Sequence, residues 1–158
     1  MILYVIEPEV AGGIGENSVF ENLEASQNEK EIPIISHLHY EFSGWLGDDI
    51  LESTPCFIVT ERLAKNIINN DLKGFKLTNV EISTNEEYND INSNKILPSF
   101  RRLIPLGKIK IEDGKFNDWT GDDFNLSEKN YLVVTKKALL VIEDFNFNHC
   151  DITTLTEF

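Results

Sequence analysis

The spacing of apolar positions between residues 57 and 82 predicts a strand, a helix and a return strand. Residues 57–59 form a short apolar run with high β-propensity. Thr60 follows as a predicted N-cap, because its hydroxyl can accept a hydrogen bond from a free amide of the first helical turn. The helix is predicted to end at about Asn70, and a turn then leads into a strand over 75–82. The residues that fall on one helical stripe, and are expected to face the core, are Leu63, Ala64, Ile67 and Ile68.

The same pattern returns 75 positions later, which predicts a second copy of the unit. Residues 132–134 correspond to the first apolar run, and Thr135 corresponds to the cap. Phe147 is expected where the first copy has Leu72. The second apolar stripe consists of Ala138, Leu139 and Ile142.

A shared motif, Trp-x-Gly-Asp-Asp, stands ahead of each copy. It occupies residues 45–49 and recurs 74 positions later, beginning at Trp119. Self-similarity at a fixed offset is typical of repeated architecture. We therefore predict two pseudo-repeats, about 43–82 and 117–155, with the two tryptophans in equivalent places.

The rest of the chain adds strands around these units. Residues 1–6 are apolar and predict a buried strand, and the glycine-containing stretch 7–31 predicts a loop or a short broken helix. Alternation over 34–42 predicts a half-buried strand with His37 and His39 on its polar face. A surface loop or short helix is expected over 83–95, and a strand over 107–111. At 158 residues the chain is long enough for one domain with its own core. The predicted fold class is α+β, a single domain 1–158 with an antiparallel or mixed sheet.

Charge is distributed unevenly along the chain. Residues 1–60 contain 11 acids and one base, Lys30, for a net charge of −10, whereas 61–158 contain 16 acids and 13 bases, for −3. Such a surface would repel nucleic acid and anionic membranes and attract a basic protein partner, although solubility alone is the simpler explanation of the same acidity. The partner-binding residues predicted from this acidity are Glu41, Asp48, Asp49 and Glu52.

Composition also bears on the compartment. Cys56 and Cys150 lie in apolar stretches and are expected to be free thiols, with His149 at the surface. The apolar stretch at residues 1–6 is too short for a signal peptide, and acidic residues follow it directly. No apolar run is long enough to span a membrane. We expect a cytoplasmic protein.

The aspartate pairs are the first candidates for chemistry, but their duplication favours a structural role. A tryptophan that anchors a turn, with aspartates bonded to local backbone amides, explains both copies equally. The alternative is a metal-dependent hydrolase in which Asp48 and Asp49 join His37 and His39. No closed ligand spacing and no nucleophile motif supports it, so we predict no catalytic, cofactor-binding or metal-binding residue. Arg101 and Arg102 are expected to pair within the chain.

Three segments together resemble a family of bacterial immunity proteins from polymorphic toxin systems. They are the first Trp-x-Gly-Asp-Asp turn, the segment Phe-Ile-Val-Thr-Glu-Arg-Leu at 57–63 that opens a helix, and Phe-Asn-Phe-Asn-His-Cys-Asp-Ile at 145–152. The resemblance covers roughly residues 43–155. It implies an α+β protein, made beside a secreted toxin, that binds the toxin domain and blocks it. The family has no active-site signature that could be transferred to numbered residues here.

The acidity of residues 1–60 agrees with this implication, because many toxin domains are basic nucleases and an acidic inhibitor would associate with them rapidly. A structural or adaptor module acting as a homodimer, and the metal-dependent hydrolase, are the alternatives.

Overall fold

The computed structural model describes residues 1–27 and 33–158, and it shows a mixed α+β fold made mostly of strands. The helices are α1 (Leu23–Gln27), α2 (Glu61–Asn69), α3 (Glu86–Ile91) and α4 (Lys136–Glu143). The strands are β1 (Ile2–Glu7), β2 (Gly12–Ile14), β3 (Val19–Phe20), β4 (Ile35–His37), β5 (His39–Phe42), β6 (Ile50–Ser53), β7 (Cys56–Thr60), β8 (Phe75–Thr78), β9 (Glu81–Thr84), β10 (Phe100–Pro105), β11 (Gly107–Glu112), β12 (Lys115–Asn117), β13 (Phe124–Ser127), β14 (Leu132–Val134) and β15 (Asp151–Glu157). The predicted fold class is confirmed at the level of α+β.

The strands form a closed barrel and several smaller sheets. The barrel has the order β1-β14-β13-β11-β12-β15 and contains both parallel and antiparallel pairs. A second sheet has the order β6-β7-β10-β8, a third has the order β2-β5-β9, and β3 pairs with β4.

The two predicted repeats fold alike. In the first, β6 and β7 form an antiparallel hairpin that leads into α2 and then β8. In the second, β13, β14, α4 and β15 follow in the same order, again beginning with an antiparallel hairpin. The side chains of Thr60 and Thr135 accept from the amides of Leu63 and Ala138, so both predicted N-caps are confirmed.

Each repeat also takes one strand from outside its predicted bounds. β10 lies between β7 and β8, where Leu103 faces Phe57 on one side and Leu77 on the other. β1 lies between β14 and β15 in the same register, with Ile6 opposite Leu132 and Ile152. β1 precedes the first Trp turn but lies in the sheet of the second repeat. β10 precedes the second Trp turn but lies in the sheet of the first repeat. Neither repeat completes its sheet alone.

The exchange explains the position of the central core. Its side chains come from both repeats. They fill the space between the sheet β6-β7-β10-β8, the barrel strands β13, β14, β1 and β15, and the helices α2 and α4, which pack against each other. The outer face of β6-β7-β10 packs against β5 and α3 in a second cluster, and the barrel encloses a third. The fully buried residues of the helical stripes are Leu63, Ala64, Ile67, Ala138 and Ile142.

Several sequence predictions differ from the structure in detail. The predicted strand 34–42 is two strands separated at Leu38, and 75–82 is divided between β8 and β9, which belong to different sheets. Ile68 is 52% exposed rather than in the core. Of the predicted loop 7–31, the described part contains short β2, β3 and α1, while 28–31 lie outside the described residues.

Candidate functional site

Trp45 and Trp119 hold equivalent positions, as predicted. The indole Nε1 of Trp45 donates to the carbonyl oxygen of Asp48 at 3.0 Å, and that of Trp119 donates to Asp122 at 3.1 Å. Each ring is half-buried and packs edge-on against a phenylalanine. The glycine of each turn has a positive φ, +103° at Gly47 and +88° at Gly121, which explains why the motif keeps glycine there.

The second aspartate of each motif fixes the start of the following helix. Asp49 Oδ1 accepts from the hydroxyl of Thr60 at 2.5 Å, and Asp123 Oδ1 accepts from Thr135 at 2.6 Å. The threonine hydroxyl in turn caps its helix, so turn, cap and helix form one continuous network in both repeats.

These aspartates also hold the repeats together. Asp49 Oδ2 accepts from the amide of Asn146 at 2.8 Å, and Asp123 Oδ2 accepts from the amide of Lys73 at 2.8 Å. Each donor lies in the loop that follows the helix of the other repeat. The bonds therefore reach across the molecule, in contrast to the local amides expected from the sequence. They also align Asn146 with Lys73, so Leu72 corresponds to Phe145, and its predicted equivalence with Phe147 is wrong by two residues.

Asp49 has an additional partner that Asp123 lacks among the described residues. Arg62 binds both of its oxygens, with Nε and Nη2 each at 2.6 Å. Burial acts to raise the pKa of Asp49, but the hydrogen bonds from Arg62, Thr60 and the Asn146 amide outweigh it and hold that pKa below its usual value. Asp49 is thus a buried, ionised structural residue.

The first aspartates differ between the repeats. Asp48 is fully buried, and it accepts from the amides of Asn148 at 3.1 Å and His149 at 2.8 Å. The Nδ1 atom of His149 lies 3.1 Å from Asp48 Oδ1. The carboxylate of Glu9 completes the group, since one ligand atom each from Glu9, Asp48 and His149 lie within 4.8 Å of one another. We call these three residues the Glu9 cluster.

The second repeat has glycines at the matching places. Strand register aligns Gly74 with His149, because Leu77 and Ile152 are equivalent. A Cβ built on Gly74 would lie 2.3 Å from Asp122 Cβ, and one built on Gly107 would lie 2.7 Å from it.

Gly107 in turn corresponds to Glu9. Gly107 pairs in parallel with Asn125, and Glu9 makes a parallel bridge to Leu51, which is the residue equivalent to Asn125. The same turn is therefore built once between two glycines and once between a glutamate and a histidine.

More carboxylates surround the Glu9 cluster. Glu7 lies directly opposite Asp151 in the β1–β15 pair, and Glu7 also acts on Glu52. Burial, followed by the charge of Glu7, raises the pKa of Glu52 to about 7. We call Glu7, Glu52 and Asp151 the acidic edge.

The thiol of Cys150 is affected by the same charges. Burial raises its pKa to about 12, with smaller raising effects from Asp48, Asp151 and Glu52 and an opposing hydrogen bond to the backbone of Glu7. Cys56 and Cys150 are free thiols, as expected. A thiol that stays protonated at neutral pH is a poor nucleophile, so Cys150 offers no basis for covalent catalysis.

The four predicted partner-binding residues have different surroundings. Asp48 and Asp49 are buried and bonded within the protein. Glu52 is half-buried at the acidic edge, and Glu41 is half-buried on the face of β5 that also bears His39. Their role in binding a partner remains a prediction.

The residues of the predicted hydrolase site do not come together. His37 and His39 both contact Glu81, with nitrogen-to-oxygen distances of 3.1 and 3.8 Å, whereas Asp48 and Asp49 bond to the loop around Asn146. His39 is only 4% exposed and bonds to Ser83, so its predicted place on a polar surface is wrong.

Arg102 is tied within the chain, where it donates from Nη1 to the carbonyl oxygen of Ile35 at 2.6 Å. Sequence reasoning did not connect Glu9 with His149. Only an alignment of the two repeats, in which Gly107 and Gly74 stand at the matching places, would have indicated them.

Comparison with known proteins adds no family: no protein-family model matches the chain, and no curated protein matches it either. Among the described residues, every helix is too short or too polar to cross a membrane.

Proposed function

We propose that this protein is an acidic inhibitor of the immunity class, which binds a basic protein partner, such as a toxin nuclease domain, through its acidic edge. The observation that carries the proposal is the crowding of carboxylates there. Glu7 faces Asp151 at one strand pair. Burial, followed by the charge of Glu7, raises the pKa of Glu52, and no cation acts on Glu52 among the described residues.

Like charges directly opposite each other on neighbouring strands destabilise the sheet that carries them. Lysine or arginine side chains of a partner would relieve this repulsion on binding. They would also find Glu52 in a partly desolvated place, where an ion pair is stronger than at an open surface. The same charges would steer a basic partner during approach and repel nucleic acid.

The acidic edge suits this role better than the aspartates of the Trp turn. Glu7 and Asp151 are exposed, and their carboxylates have no hydrogen-bond partner among the described residues. Asp48 and Asp49 already have their oxygens bound to backbone amides, a hydroxyl and a guanidinium. A partner reaching them would first have to break those bonds.

The neighbouring gene is the first test of the function, and we expect it to encode a secreted protein with a C-terminal toxin domain. Co-expression of that domain with this chain is the second test, with growth rescue as the expected result. The surface is tested by association rates measured at increasing salt. We expect the rate to fall at least tenfold between low and high ionic strength. The double variant Glu7→Gln/Asp151→Asn should slow association at low salt, whereas Glu112→Gln/Glu128→Gln, which removes equal charge elsewhere, should not.

A rate independent of salt, or equal losses in both double variants, would overturn the proposed surface. Absence of rescue and of any complex would overturn the function. A fixed homo-oligomer seen by light scattering without a partner would favour the structural or adaptor alternative instead.

A further inference from the structure

We propose that the Glu9 cluster is a binding site for a divalent transition-metal cation of the Zn²⁺ type. This inference goes beyond the proposed function and does not depend on it. The three side chains come from separate parts of the chain: Glu9 follows β1, Asp48 belongs to the first Trp turn, and His149 precedes β15. Their ligand atoms lie within 4.8 Å of one another, close enough to bind one ion.

Glu9 supplies the observation that indicates a ligand. The residue is 8% exposed, and its Oε1 atom is buried without a hydrogen-bond partner among the described residues. Its Oε2 atom accepts from the amide of Leu46 at 2.8 Å, which holds the carboxylate in place. A buried carboxylate oxygen is almost always paired in a folded protein, and a cation bound beside Asp48 and His149 would provide the missing partner.

Asp48 and His149 have suitable spacing and access. Ligands at about 2.1 Å from a metal ion, and adjacent in its coordination shell, lie roughly 3.0–3.4 Å apart. The observed separation between Asp48 Oδ1 and His149 Nδ1 is 3.1 Å. The side chain of His149 is 41% exposed, so solvent or a partner can occupy the remaining coordination positions. Hydrogen bonds from the amides of Asn148 and His149 orient the Asp48 carboxylate.

The second repeat shows that the turn itself does not need these groups. There, Asp122 forms the equivalent turn between Gly74 and Gly107, and neither position has room for a side chain. Asp122 accepts instead from the hydroxyl of Thr120 at 2.6 Å. The glutamate and the histidine of the first repeat are therefore additions to a turn that is stable without them.

The donor set indicates the class of ion. One imidazole nitrogen with two carboxylates suits Zn²⁺, Co²⁺ or Mn²⁺ better than Mg²⁺ or Ca²⁺, which prefer shells made only of oxygen. With three protein ligands, the site would leave at least one position open.

Isothermal titration of the metal-free full-length chain with Zn²⁺ tests the site. We expect one ion per chain, and at least tenfold weaker binding in Glu9→Gln and in His149→Ala. The matched control is His37→Ala, which removes another exposed histidine that contacts a glutamate. Its Zn²⁺ affinity should equal that of the parent protein. Titration with Mg²⁺ should give no binding at comparable concentrations.

Substitution with Co²⁺ adds a spectroscopic measurement. The visible absorption of bound Co²⁺ should change in His149→Ala and stay unchanged in His37→Ala. If Glu9→Gln does not fold, the test rests on the comparison of His149→Ala with His37→Ala, because both histidines are exposed. Absence of Zn²⁺ binding, unchanged affinity in His149→Ala, or loss of binding in His37→Ala would overturn the proposal. Each experiment uses the isolated chain, so a negative result leaves the toxin-binding proposal unaffected.

Discussion

Replacing Asp49 should destabilise the protein more than replacing Asp123, although the two residues occupy equivalent places. Both carboxylates accept one bond from a threonine hydroxyl and one from an amide of the opposite repeat. Asp49 is 1% exposed and has Arg62 as a third partner, whereas Asp123 is half-buried. The pair thus separates the contribution of the shared bonds from that of burial and the arginine.

The expected magnitudes follow from these contacts. A hydrogen bond to a charged group contributes about 1.5–3 kcal/mol, so Asp49→Ala should cost roughly 4–5 kcal/mol for its two shared bonds and for the buried Thr60 hydroxyl left without its acceptor. Asp123→Ala should cost about 2–3 kcal/mol, because solvent can reach its donors. The side chain of Arg62 is 61% exposed, so Arg62→Ala alone should cost only about 0.5–1 kcal/mol.

Urea unfolding of the parent and the three variants, followed by circular dichroism, gives the free energies of unfolding. Equal losses for Asp49→Ala and Asp123→Ala would refute the argument from burial. A loss in Arg62→Ala as large as that in Asp49→Ala would show that the arginine, rather than the connection between repeats, provides most of the stabilisation.

Two further stability measurements test other parts of this structure. The pKa of Glu52 is raised to about 7, so the folded state holds its proton longer than the unfolded state does, and stability falls as pH rises from about 4.5 to 7. Glu52→Gln should therefore stabilise the protein at pH 8 by about 1–2 kcal/mol, discounted for partial exposure, and have little effect at pH 4; a gain that is equal at both pH values would contradict this. Gly74→Ala should lower the midpoint temperature of thermal unfolding more than Gly114→Ala does. Both glycines have a positive φ, but only a Cβ at residue 74 would collide with another residue, Asp122. Equal losses would mean that the neighbouring loop shifts to make room for the added methyl group.

Local signals were sufficient to predict the repeated strand-helix-strand units. A threonine cap, an apolar stripe at helical spacing and a glycine turn all act within a few residues, and each was duplicated in the sequence. β6 was missed because four residues after the Trp turn give too short a pattern for a strand. The division of 34–42 at Leu38 was hidden because the alternation continues across it, while β4 and β5 pair with different strands far away in sequence. The burial of His39 was hidden because its polar side chain meets Ser83 only in the folded chain.

The exchange of β1 and β10 could not be predicted from patterns of this kind. Both are central strands of their sheets, but β10 contains Arg101 and Arg102 and does not have the pattern of a buried strand. Pairing partners also depend on contacts far apart in sequence. The Glu9 cluster depends on the same exchange, since β1 brings Glu9 beside the turn and the β15 loop brings His149. The sequence showed the aspartates of the motif, which the fold uses for stability, and concealed the two residues that distinguish one copy from the other.

Stability and metal binding should oppose each other at Glu9, and this gives a last prediction. A buried carboxylate with an unpaired oxygen, beside the acidic Asp48, destabilises the metal-free protein, and burial raises the pKa of Glu9 accordingly. Glu9→Gln removes the charge and keeps an oxygen for the Leu46 amide, so the metal-free variant should be at least as stable as the parent, by up to about 1 kcal/mol. Adding Zn²⁺ should reverse the order, because it stabilises the parent protein, which binds it more tightly, more than it stabilises the variant. A metal-free variant that is less stable by more than about 1 kcal/mol would mean that Glu9 serves the fold, and the contrast with Gly107 would then need a structural explanation.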